Sequence, residues 1–360
     1  MIRRVGTATT ALPLPAPLQL GAMTVTRREF AAVQVEEGGE TGVAYGLTRE
    51  APMAEIVDRL IAPHVTDGAL DPGELWERAF RGSAIVGRVG LVRRALGLVD
   101  VALWDLRARL DGVPVWRLLG SDGGPRPAML VAAYPTPGRT VESVVEEVVV
   151  QARAGWPQVK ISRSPDPAFM RALLAELDRE LPDGCGLVVD VGFGWRDADE
   201  AIAEVAAWGS PRLDWLEDPL LPEDVAGCAR IRRETGLTIA VGDEVTDPAV
   251  LQALAEGGGI DVARLDVVAL GGITPARAFL AWAADRGLPV SCHIGPEVSA
   301  HLPGVQVETF ARGPEPNPYD PSPTLVTGGP EFAGGWATPP RGPGLGFGFA
   351  PGTFDFGRSA

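Results

Sequence analysis

Charged and polar side chains recur where short apolar stretches end, from residue 160 onward. They are Lys160, Asp190, Glu217, Asp243, Asp266, His293 and Glu308. All intervals but the last are close to one strand-and-helix unit. Asp190, Glu217 and Asp243 form an all-oxygen set that suits a hard cation such as Mg²⁺. Zinc would favour histidine or cysteine, of which the chain has only 3 each, so we predict a magnesium site.

His293 ends one apolar stretch, and Asp266 ends the stretch before it. A carboxylate on a neighbouring strand fixes the tautomer of an imidazole and raises its basicity. Histidine can take and return a proton near neutral pH. We therefore predict that Asp266 orients His293 and raises its basicity, whereas His64 and His301, in helix-like or loop contexts, are expected to be structural.

Lys160 is the only lysine in a chain with 32 lysine and arginine residues. Guanidinium is never deprotonated in proteins, whereas an amine is a compact charge that can lose a proton. Lys160 could therefore anchor a substrate carboxylate or act as a base. A third interpretation is chance survival of one lysine in an arginine-biased sequence.

The elements that must position these residues alternate in type. From Ala128 to Glu308, eight short apolar runs alternate with amphipathic stretches, which predicts a parallel sheet and favours a TIM-type barrel. Before them, residues 28–46 alternate around a Glu-Gly-Gly-Glu turn, which predicts a β-hairpin, and helical spacing follows up to a glycine at 112. We divide the chain into an α+β part (1–123), a barrel (124–325) and a C-terminal tail (326–360).

Composition narrows the possible partners. The net charge of −15 disfavours nucleic acid and anionic membranes, and a small anionic substrate would need a local cation. The 3 cysteines are too few and too scattered for a disulfide framework or a zinc site, which fits a reducing cytoplasm. No apolar run approaches a membrane span, and the proline-rich N-terminus argues against an export signal. A symmetric homo-oligomer is the default expectation.

Five motifs, in order, resemble the enolase superfamily, in particular its mandelate racemase/muconate lactonising branch. They are ALWDLRARLDGVPVWRLLG, WLEDP, DVVALGGIT, SCHIGPEVSAHL and GGWATPPRGPGLGF. The resemblance implies a (β/α)7β barrel of the TIM type with an α+β capping domain, which is built from the N-terminal part and the returning tail. It also implies catalysis in which a base removes the proton α to a carboxylate and Mg²⁺ stabilises the enediolate.

The resemblance assigns roles to the recurring residues. It implies that Asp190, Glu217 and Asp243 are the metal ligands and that Asp266 and His293 are the catalytic dyad. It further implies that Glu308 hydrogen-bonds the carboxylate of a small-molecule substrate. Asp243 is followed by a second acid, Glu244, and strand alternation lets only one of the two face inward; we choose Asp243.

Two departures from the family pattern bear on the reaction. Lys160 falls on the first lysine of the family's Lys-x-Lys motif, the carboxylate partner, but Ser162 stands where the second lysine is usually a base. Gly192 stands where many relatives have asparagine. A racemase needs a base on each face of the α-carbon, so we favour dehydration of an acid sugar or related hydroxy acid, with His293 as base and then acid and Lys160 polarising the carboxylate.

Other activities stay open. Racemisation or epimerisation of a 2-substituted carboxylate is the alternative if Lys160 is the base, and cycloisomerisation is third. A catalytically silent barrel that binds a carboxylate is the non-enzymatic alternative. The uncharged stretch from about Thr7 to Gly21, expected to be a loop over the barrel mouth, hints at an apolar or short substrate end.

Overall fold

The computed structural model of the chain describes residues 1–20, 23–136, 138–209, 211–312 and 317–357. Its N-terminal part is an antiparallel sheet in the order β1-β2-β3, with strands β1 (Arg4–Leu20), β2 (Met23–Glu37) and β3 (Glu40–Leu47). Strands β2 and β3 pair from Phe30↔Leu47 to Glu37↔Glu40. The left-handed residues Gly38 and Gly39 make the turn between them, so the predicted hairpin is present.

Strand β1 corrects one expectation. The stretch predicted as a loop is extended and pairs with β2 from Arg4↔Glu36 to Pro13↔Arg27 and again from Leu18↔Val25, with an irregularity between Pro13 and Leu18; Gly21 lies outside the described residues. The prolines are tolerated because β1 is at the edge of the sheet, where a missing N–H costs no ladder bond. The result is a long ribbon rather than a loop.

Helices follow this sheet in the chain. They are α1 (Met53–Ile56), α2 (Pro72–Ser83), α3 (Leu91–Leu110) and α4 (Val115–Leu118), with a π-helical turn at Val57–Ile61 and a 3₁₀ turn at Ala62–His64. The long helix α3 is largely buried, and it lies so close to β3 that a Cβ on Gly42 would be 2.1 Å from the carbonyl oxygen of Ala102. Together these elements form the cap.

The second part is a closed barrel. Its parallel strands are β4 (Arg126–Ala133), β5 (Gln158–Ser162), β6 (Gly186–Asp190), β7 (Trp215–Glu217), β8 (Ile239–Val241), β9 (Val262–Leu265), β10 (Val290–Cys292) and β11 (Val305–Phe310). Each strand pairs with the next, and β11 pairs with β4 to close the ring. The TIM-type barrel predicted from the alternation is therefore confirmed.

Helices cover the outside of the barrel. They are α5 (Val141–Arg153), α6 (Pro167–Glu180), α7 (Ala198–Ala207), α8 (Val225–Thr235), α9 (Pro248–Glu256) and α10 (Ile273–Asp285). The short helix α11 (Pro296–Ser299), between β10 and β11, is buried at the mouth of the barrel. Inside the barrel, one apolar layer is formed by Met129, Val188, Trp215, Ala240 and Val262. Because side chains alternate along each strand, the next inward position toward the strand ends is free to be polar.

The C-terminal segment contacts both parts. Its strands are β12 (Val326–Gly328), β13 (Glu331–Ala333), β14 (Trp336–Thr338) and β15 (Phe347–Phe349). The β13–β14 hairpin pairs with the start of β4. The Leu345 amide donates to Asp105 of α3 at 2.6 Å. No helix in the described part of the chain is long and apolar enough to cross a membrane.

His301 holds this segment against the start of α4. It is fully buried, its Nδ1 accepts the Trp116 amide at 3.2 Å, and its Nε2 lies 3.1 Å from the Leu345 carbonyl oxygen. Since Nδ1 is an acceptor, Nε2 carries the proton and donates to Leu345, so the imidazole is neutral. Burial lowers the pKa of His301 to about 4, and nearby Arg126 adds to that effect.

Candidate active site and metal centre

A cavity of about 480 Å³ lies between the cap and the strand ends of the barrel. Six of the residues predicted from the sequence line it: Lys160, Asp190, Asp243, Asp266, His293 and Glu308. The seventh, Glu217, is fully buried just beneath and contacts the Lys160 ammonium. The residues at the strand ends therefore lie together, as the sequence predicts. The volume of the cavity is typical of small-molecule sites. We call the barrel side of the cavity the floor and the opposite side, formed by cap residues and by the loop around Tyr319, the roof. Tyr134 directly follows β4 and borders both sides, since it interacts electrostatically with Arg28 as well as with Lys160.

In each acid of the predicted metal set, one carboxylate oxygen accepts a hydrogen bond from a neighbouring residue. Asp190 Oδ1 accepts the Gly192 amide at 2.9 Å, and Glu217 Oε2 accepts the indole N–H of Trp215 at 3.0 Å. The residue in place of the family's asparagine therefore supports the carboxylate through its backbone. Asp243 Oδ1 accepts Arg264 Nε at 3.0 Å. These contacts fix the orientation of the carboxylates before any ligand arrives.

The second oxygens converge on one point. Lys160 Nζ lies 2.5 Å from Glu217 Oε1, 3.3 Å from Asp190 Oδ2 and 3.9 Å from Asp243 Oδ2. One ligand oxygen from each acid lies within 4.8 Å of the others. Three anionic oxygens directed at one position, already occupied by a cationic head, form a donor set suited to a divalent ion. The residues present therefore fit magnesium.

Lys160 is not a surface residue, since only 3% of its side chain is exposed. Its ammonium also lies 2.7 Å from Glu308 Oε2. Burial alone would lower the pKa of Lys160, but Glu217 and Glu308 raise it well above its usual value. The interpretation of Lys160 as a chance survivor of arginine bias is inconsistent with this environment.

Arg264 is the residue that sequence reasoning missed. It is fully buried, and besides Asp243 it reaches Glu308 Oε2 at 2.5 Å and Glu217 Oε1 at 3.2 Å. Arg264 is two residues before Asp266 on an inward-facing run, so strict alternation along β9 could have identified it. Lys160 and Arg264 together supply two positive charges to a cluster of four acids.

A line of polar side chains continues from Arg264 into the barrel. Its NH1 donates to Ser291 Oγ at 2.6 Å, and Ser291 donates to Gln306 at 2.8 Å. Gln306 in turn donates to Gln158 at 2.8 Å, and Gln158 donates to Asp214. Every member thus has a partner, as buried polar groups require.

His293 lies between the metal set and Asp266. Its Nε2 is 3.4 Å from Asp243 Oδ2, and its Nδ1 is 3.6 Å from Asp266 Oδ2. His293 Nδ1 and Asp266 Oδ2 face each other just beyond hydrogen-bond distance. Both atoms are buried without a hydrogen-bond partner among the described residues. Burial would lower the pKa of His293, but Asp243 and then Asp266 raise it to about 9. A divalent ion on Asp243 would offset the charge that makes the largest contribution to that rise in the pKa of His293.

Glu308 accepts contacts from both Lys160 and Arg264. Burial opposes its ionisation, but these two cations outweigh burial and lower the pKa of Glu308. A carboxylate can donate a hydrogen bond only when it is protonated. The predicted hydrogen bond from Glu308 to a substrate carboxylate therefore requires a proton that Lys160 and Arg264 disfavour.

Asp243 and Glu244 both line the cavity, which corrects the alternation argument. Strand β8 ends at Val241, and Glu244 has a left-handed backbone with φ of 64°, so strict alternation no longer applies. The two acids face different partners. Asp243 belongs to the metal set, whereas Glu244 forms ion pairs with Arg49 and Arg94 from the cap.

Backbone strain is concentrated at the same strand ends. Asp218, Glu244 and Ile294 have φ of 44°, 64° and 42°, and each directly follows a predicted site residue. Non-glycine residues pay an energetic penalty in this region and persist there only when surrounding contacts hold them. Asp218 shows such contacts, since its carboxylate accepts the amides of Gly242 at 2.8 Å and Asp243 at 3.2 Å.

Ser162, which replaces the family's second lysine, lines the cavity beside these residues. Its hydroxyl makes no hydrogen bond to any residue in the described ranges. A neutral hydroxyl at that position offers no base to the face of a substrate opposite His293.

Comparison with known proteins places this geometry in a family. Residues 143–352 match the family described as enolase C-terminal domain-like, and residues 3–120 match the mandelate racemase/muconate lactonizing enzyme N-terminal domain. The chain belongs to the enolase superfamily, in its mandelate racemase/muconate lactonizing branch. The resemblance drawn from its five motifs is therefore confirmed.

Individual relatives are similar along nearly the whole chain. A 3,6-anhydro-alpha-L-galactonate cycloisomerase from Streptomyces coelicolor is 30% identical, with 91% of this chain and 93% of that protein covered. An L-talarate/galactarate dehydratase from Salmonella typhimurium is 27% identical, with 81% and 75% covered. The solved L-talarate dehydratase from Polaromonas, complexed with Mg and L-glucarate, is 25% identical with a TM-score of 0.86, and the coverage is 98% of this chain and 96% of that one.

Magnesium was the cofactor predicted from the acidic residues, and solved relatives contain it. Besides the Polaromonas dehydratase, a racemase from Streptomyces coelicolor was crystallised with bound magnesium; it is 24% identical, and the coverage is 97% of both chains with a TM-score of 0.86. In this chain the acidic cluster can hold such an ion. The cofactor prediction is thus supported both by the donor set and by the relatives.

Proposed function

We propose that the protein is a magnesium-dependent dehydratase of an acid sugar or a closely related hydroxy acid. The observation that carries the proposal is the floor of the cavity: three tethered carboxylates converge on one cation position, and His293 lies directly beside them. Among the relatives are dehydratases of galactonate, of talarate and galactarate, and of rhamnonate. The solved L-talarate dehydratase from Polaromonas is a complex with a sugar acid, L-glucarate.

The reaction needs one group that first accepts and then returns a proton. His293 Nε2, on the side of Asp243, would take the proton from the α-carbon, and the C–H electrons would form a carbon–carbon double bond. The β-hydroxyl would leave with its bonding electrons and receive the proton from His293 as water. The resulting enol would become a 2-keto-3-deoxy acid, so atoms and charge balance with no co-reactant.

Asp266 would act through His293. Its Oδ2 faces His293 Nδ1, so a small movement that closes the 3.6 Å gap would complete the hydrogen bond that orients the ring. Asp266 is itself held, since its Oδ1 accepts the Ala269 amide at 2.9 Å. Asp190, Glu217 and Asp243 would hold Mg²⁺, which when bound supplies positive charge where negative charge develops on the substrate carboxylate.

Lys160 would place a fixed positive charge beside the substrate carboxylate. Its ammonium is already surrounded by carboxylate oxygens at 2.5 and 2.7 Å, which favours a role as a charge over a role as a base. With Ser162 nearby, no second base faces the α-carbon from this side. Two-base racemisation or epimerisation is therefore less well supported than dehydration.

Cycloisomerisation is the second candidate because one of the relatives, 30% identical with 91% of this chain covered, is a cycloisomerase. The same removal of an α-proton would serve it if a ring oxygen, rather than hydroxide, left from the β-carbon. Dehydration changes the mass of the product by one water and cycloisomerisation does not, so mass spectrometry of the product separates the two.

Exchange of the α-proton tests the shared step. The Mg²⁺-loaded protein is incubated in deuterium oxide with a library of sugar acids, and deuterium incorporation and 2-keto-3-deoxy acid formation are measured. We expect both with at least one sugar acid, and neither after chelation of the metal. Binding without exchange or product across the library would instead support a catalytically silent barrel and contradict the proposal.

A further inference from the structure

Arg28, on strand β2, is a buried arginine in the roof of the cavity. Only 6% of the residue is exposed, and its Nε donates to the backbone oxygen of Tyr319 at 2.9 Å. Within the described residues its guanidinium makes no other hydrogen bond and has no carboxylate within 4.0 Å. Its two terminal nitrogens are not sealed from solvent, and the side chain lines the cavity. Its remaining N–H groups are therefore available to a ligand.

The other arginines that line the cavity differ in this respect. Arg49 and Arg94 both pair with Glu244, and Arg163 pairs with Glu204 at 2.5 Å. In the part of the chain that the structure describes, Arg28 is thus the cavity arginine that lacks an acidic partner. A buried, permanent charge without a directly paired carboxylate is costly, and a bound anion would relieve that cost.

The acids on the same side of the cavity are satisfied by other groups. Asp320 accepts both the amide and the hydroxyl of Ser322, at 3.0 and 2.7 Å. Glu297 accepts the Tyr45 hydroxyl at 3.0 Å and Arg312 at 2.7 Å. Asp320 is close enough to Arg28 to interact electrostatically: burial raises the pKa of Asp320, and Arg28 opposes that rise. Neither carboxylate lies within 4.0 Å of the Arg28 guanidinium, so neither forms an ion pair with it.

Tyr134 adds a second available donor. The residue is 8% exposed and lines the cavity, and its hydroxyl has no hydrogen-bond partner among the described residues. Its ring packs against Tyr319, with centroids 4.8 Å apart, and Tyr319 is also the residue whose carbonyl oxygen holds Arg28. One residue therefore positions both donors.

We propose that Arg28 and the Tyr134 hydroxyl form a subsite for a second carboxylate, so that the substrate is a sugar diacid rather than a monoacid. This inference rests on the proposed function, which binds the first carboxylate at the floor beside Lys160. The planar fork of a guanidinium matches a carboxylate through two parallel N–H donors. A terminal hydroxyl would leave the positive charge of Arg28 without a counter-ion.

The subsite is tested by calorimetric binding to the Mg²⁺-loaded protein. The probes are matched pairs of sugar diacids and monoacids, such as galactarate and galactonate, which differ only at the terminal carbon. We expect at least one diacid to bind about 10-fold or more tightly than its monoacid. Arg28→Gln should weaken diacid binding by about 10- to 100-fold and leave monoacid binding within about 3-fold, the range expected for a hydrogen bond to a charged group. Tyr134→Phe should weaken diacid binding by a smaller factor.

Arg27→Gln is the matched control. Arg27 is the preceding residue on the same strand, and it pairs with Glu50 at 2.8 Å on the surface, where 52% of its side chain is exposed. This variant should bind every probe as the wild type does. Arg28→Lys, which keeps the charge but loses the fork, should retain only part of the diacid preference, and together with Tyr134→Phe it replaces Arg28→Gln if that variant does not fold.

Several results would overturn the subsite. They are equal affinity for the two members of every pair, no binding of any probe, or an Arg28→Gln variant that binds both members less tightly by the same factor. A lower melting temperature with the diacid preference intact would show that Arg28 is only structural. Exchange of the α-proton is measured in parallel to keep the two proposals apart. A preference for diacids without exchange of the α-proton would contradict only the proposed dehydratase activity. Exchange with monoacids and no preference for diacids would contradict only the proposed subsite.

Discussion

The floor and the roof of the cavity differ in how completely their charged groups are paired. On the floor, Lys160, Glu217, Arg264 and Glu308 are at most 3% exposed and contact one another. On the roof, Arg28 is also buried, with 6% of the residue exposed, but it lacks an acidic partner within 4.0 Å among the described residues. The dense charge cluster of the floor suits one chemical step, whereas Arg28, the one unpaired cation among the roof residues that the structure describes, suits the choice of substrate. The following predictions test this division.

The largest effect is expected at His293. Replacing it with asparagine removes the group that moves the proton, so turnover should fall by about 10³- to 10⁴-fold. Magnesium affinity, measured by calorimetry, should stay within about 3-fold because His293 is not in the predicted metal set. A His293→Asn variant that keeps its activity would transfer the role of base to Lys160.

Arg264→Met should cause the next largest change, in stability. It leaves Asp243, Glu217 and Glu308 buried with one cation fewer, and breaking such a buried network costs about 3–5 kcal/mol. The free energy of unfolding in urea measures the loss, and saturating Mg²⁺ should restore part of it by returning positive charge. The control is Arg232→Met, which breaks the more exposed pair with Asp261 and should cost under about 1 kcal/mol. Equal losses in the two variants would mean that the floor does not depend on Arg264.

The variant Lys160→Arg distinguishes a role of Lys160 as a fixed positive charge from a role as the base. Arginine keeps the charge but misplaces it, and it cannot accept a proton. We expect substrate affinity to fall by about 10- to 100-fold, roughly 1.4–2.7 kcal/mol, with residual turnover. Steady-state kinetics and deuterium exchange distinguish the outcomes. Complete loss of exchange with normal binding would instead identify Lys160 as the base.

The smallest effect concerns stability away from the cavity. The pKa of His301 is lowered to about 4 in the folded chain, so the unfolded chain takes up the proton first as pH falls. Stability from this residue is full above pH 6.5 and is lost between pH 6.5 and 4. The free energy of unfolding should drop by about 2 kcal/mol from pH 7.5 to pH 5 on this account. His301→Gln should flatten that part of the pH curve, and an unchanged curve would show that His301 does not cause it.

The order of elements and the strand-end residues of the floor could be predicted from the sequence because both depend on local periodicity. The alternation from Ala128 to Glu308 predicted the barrel, and one polar residue at each strand end predicted which side chains line the cavity. The metal, acid–base and substrate roles of these residues remain predictions that the experiments above test.

Arg264 was missed because only the last inward position of each strand was considered. A charged residue one inward step deeper looks unfavourable for an apolar core until its three acidic partners are known. Those partners lie in or just after three other strands, so no local pattern in β9 predicts the contacts.

The roof was harder to predict for a different reason. The uncharged stretch from about Thr7 to Gly21 suggested an apolar substrate end, but the polar groups of the roof come from elsewhere, namely Arg28, Tyr45, Arg49 and Tyr134. Which side chains of a ribbon face a cavity depends on how the cap is placed on the barrel. That placement is a long-range property, and spacing along the chain does not encode it visibly.

The polar line that runs from Arg264 through Ser291 and Gln306 to Gln158 has a consequence for how this protein can change over generations. Each member has its hydrogen-bond capacity engaged by the next, so a single apolar replacement leaves an unmatched neighbour, and only coordinated changes at several positions would be neutral. The recognition groups of the roof depend on one another less, because Arg28 and Tyr134 share Tyr319 as a support but do not hydrogen-bond each other. New substrate preferences can therefore arise by single substitutions in the cap, whereas changes to the polar line inside the barrel require several substitutions together.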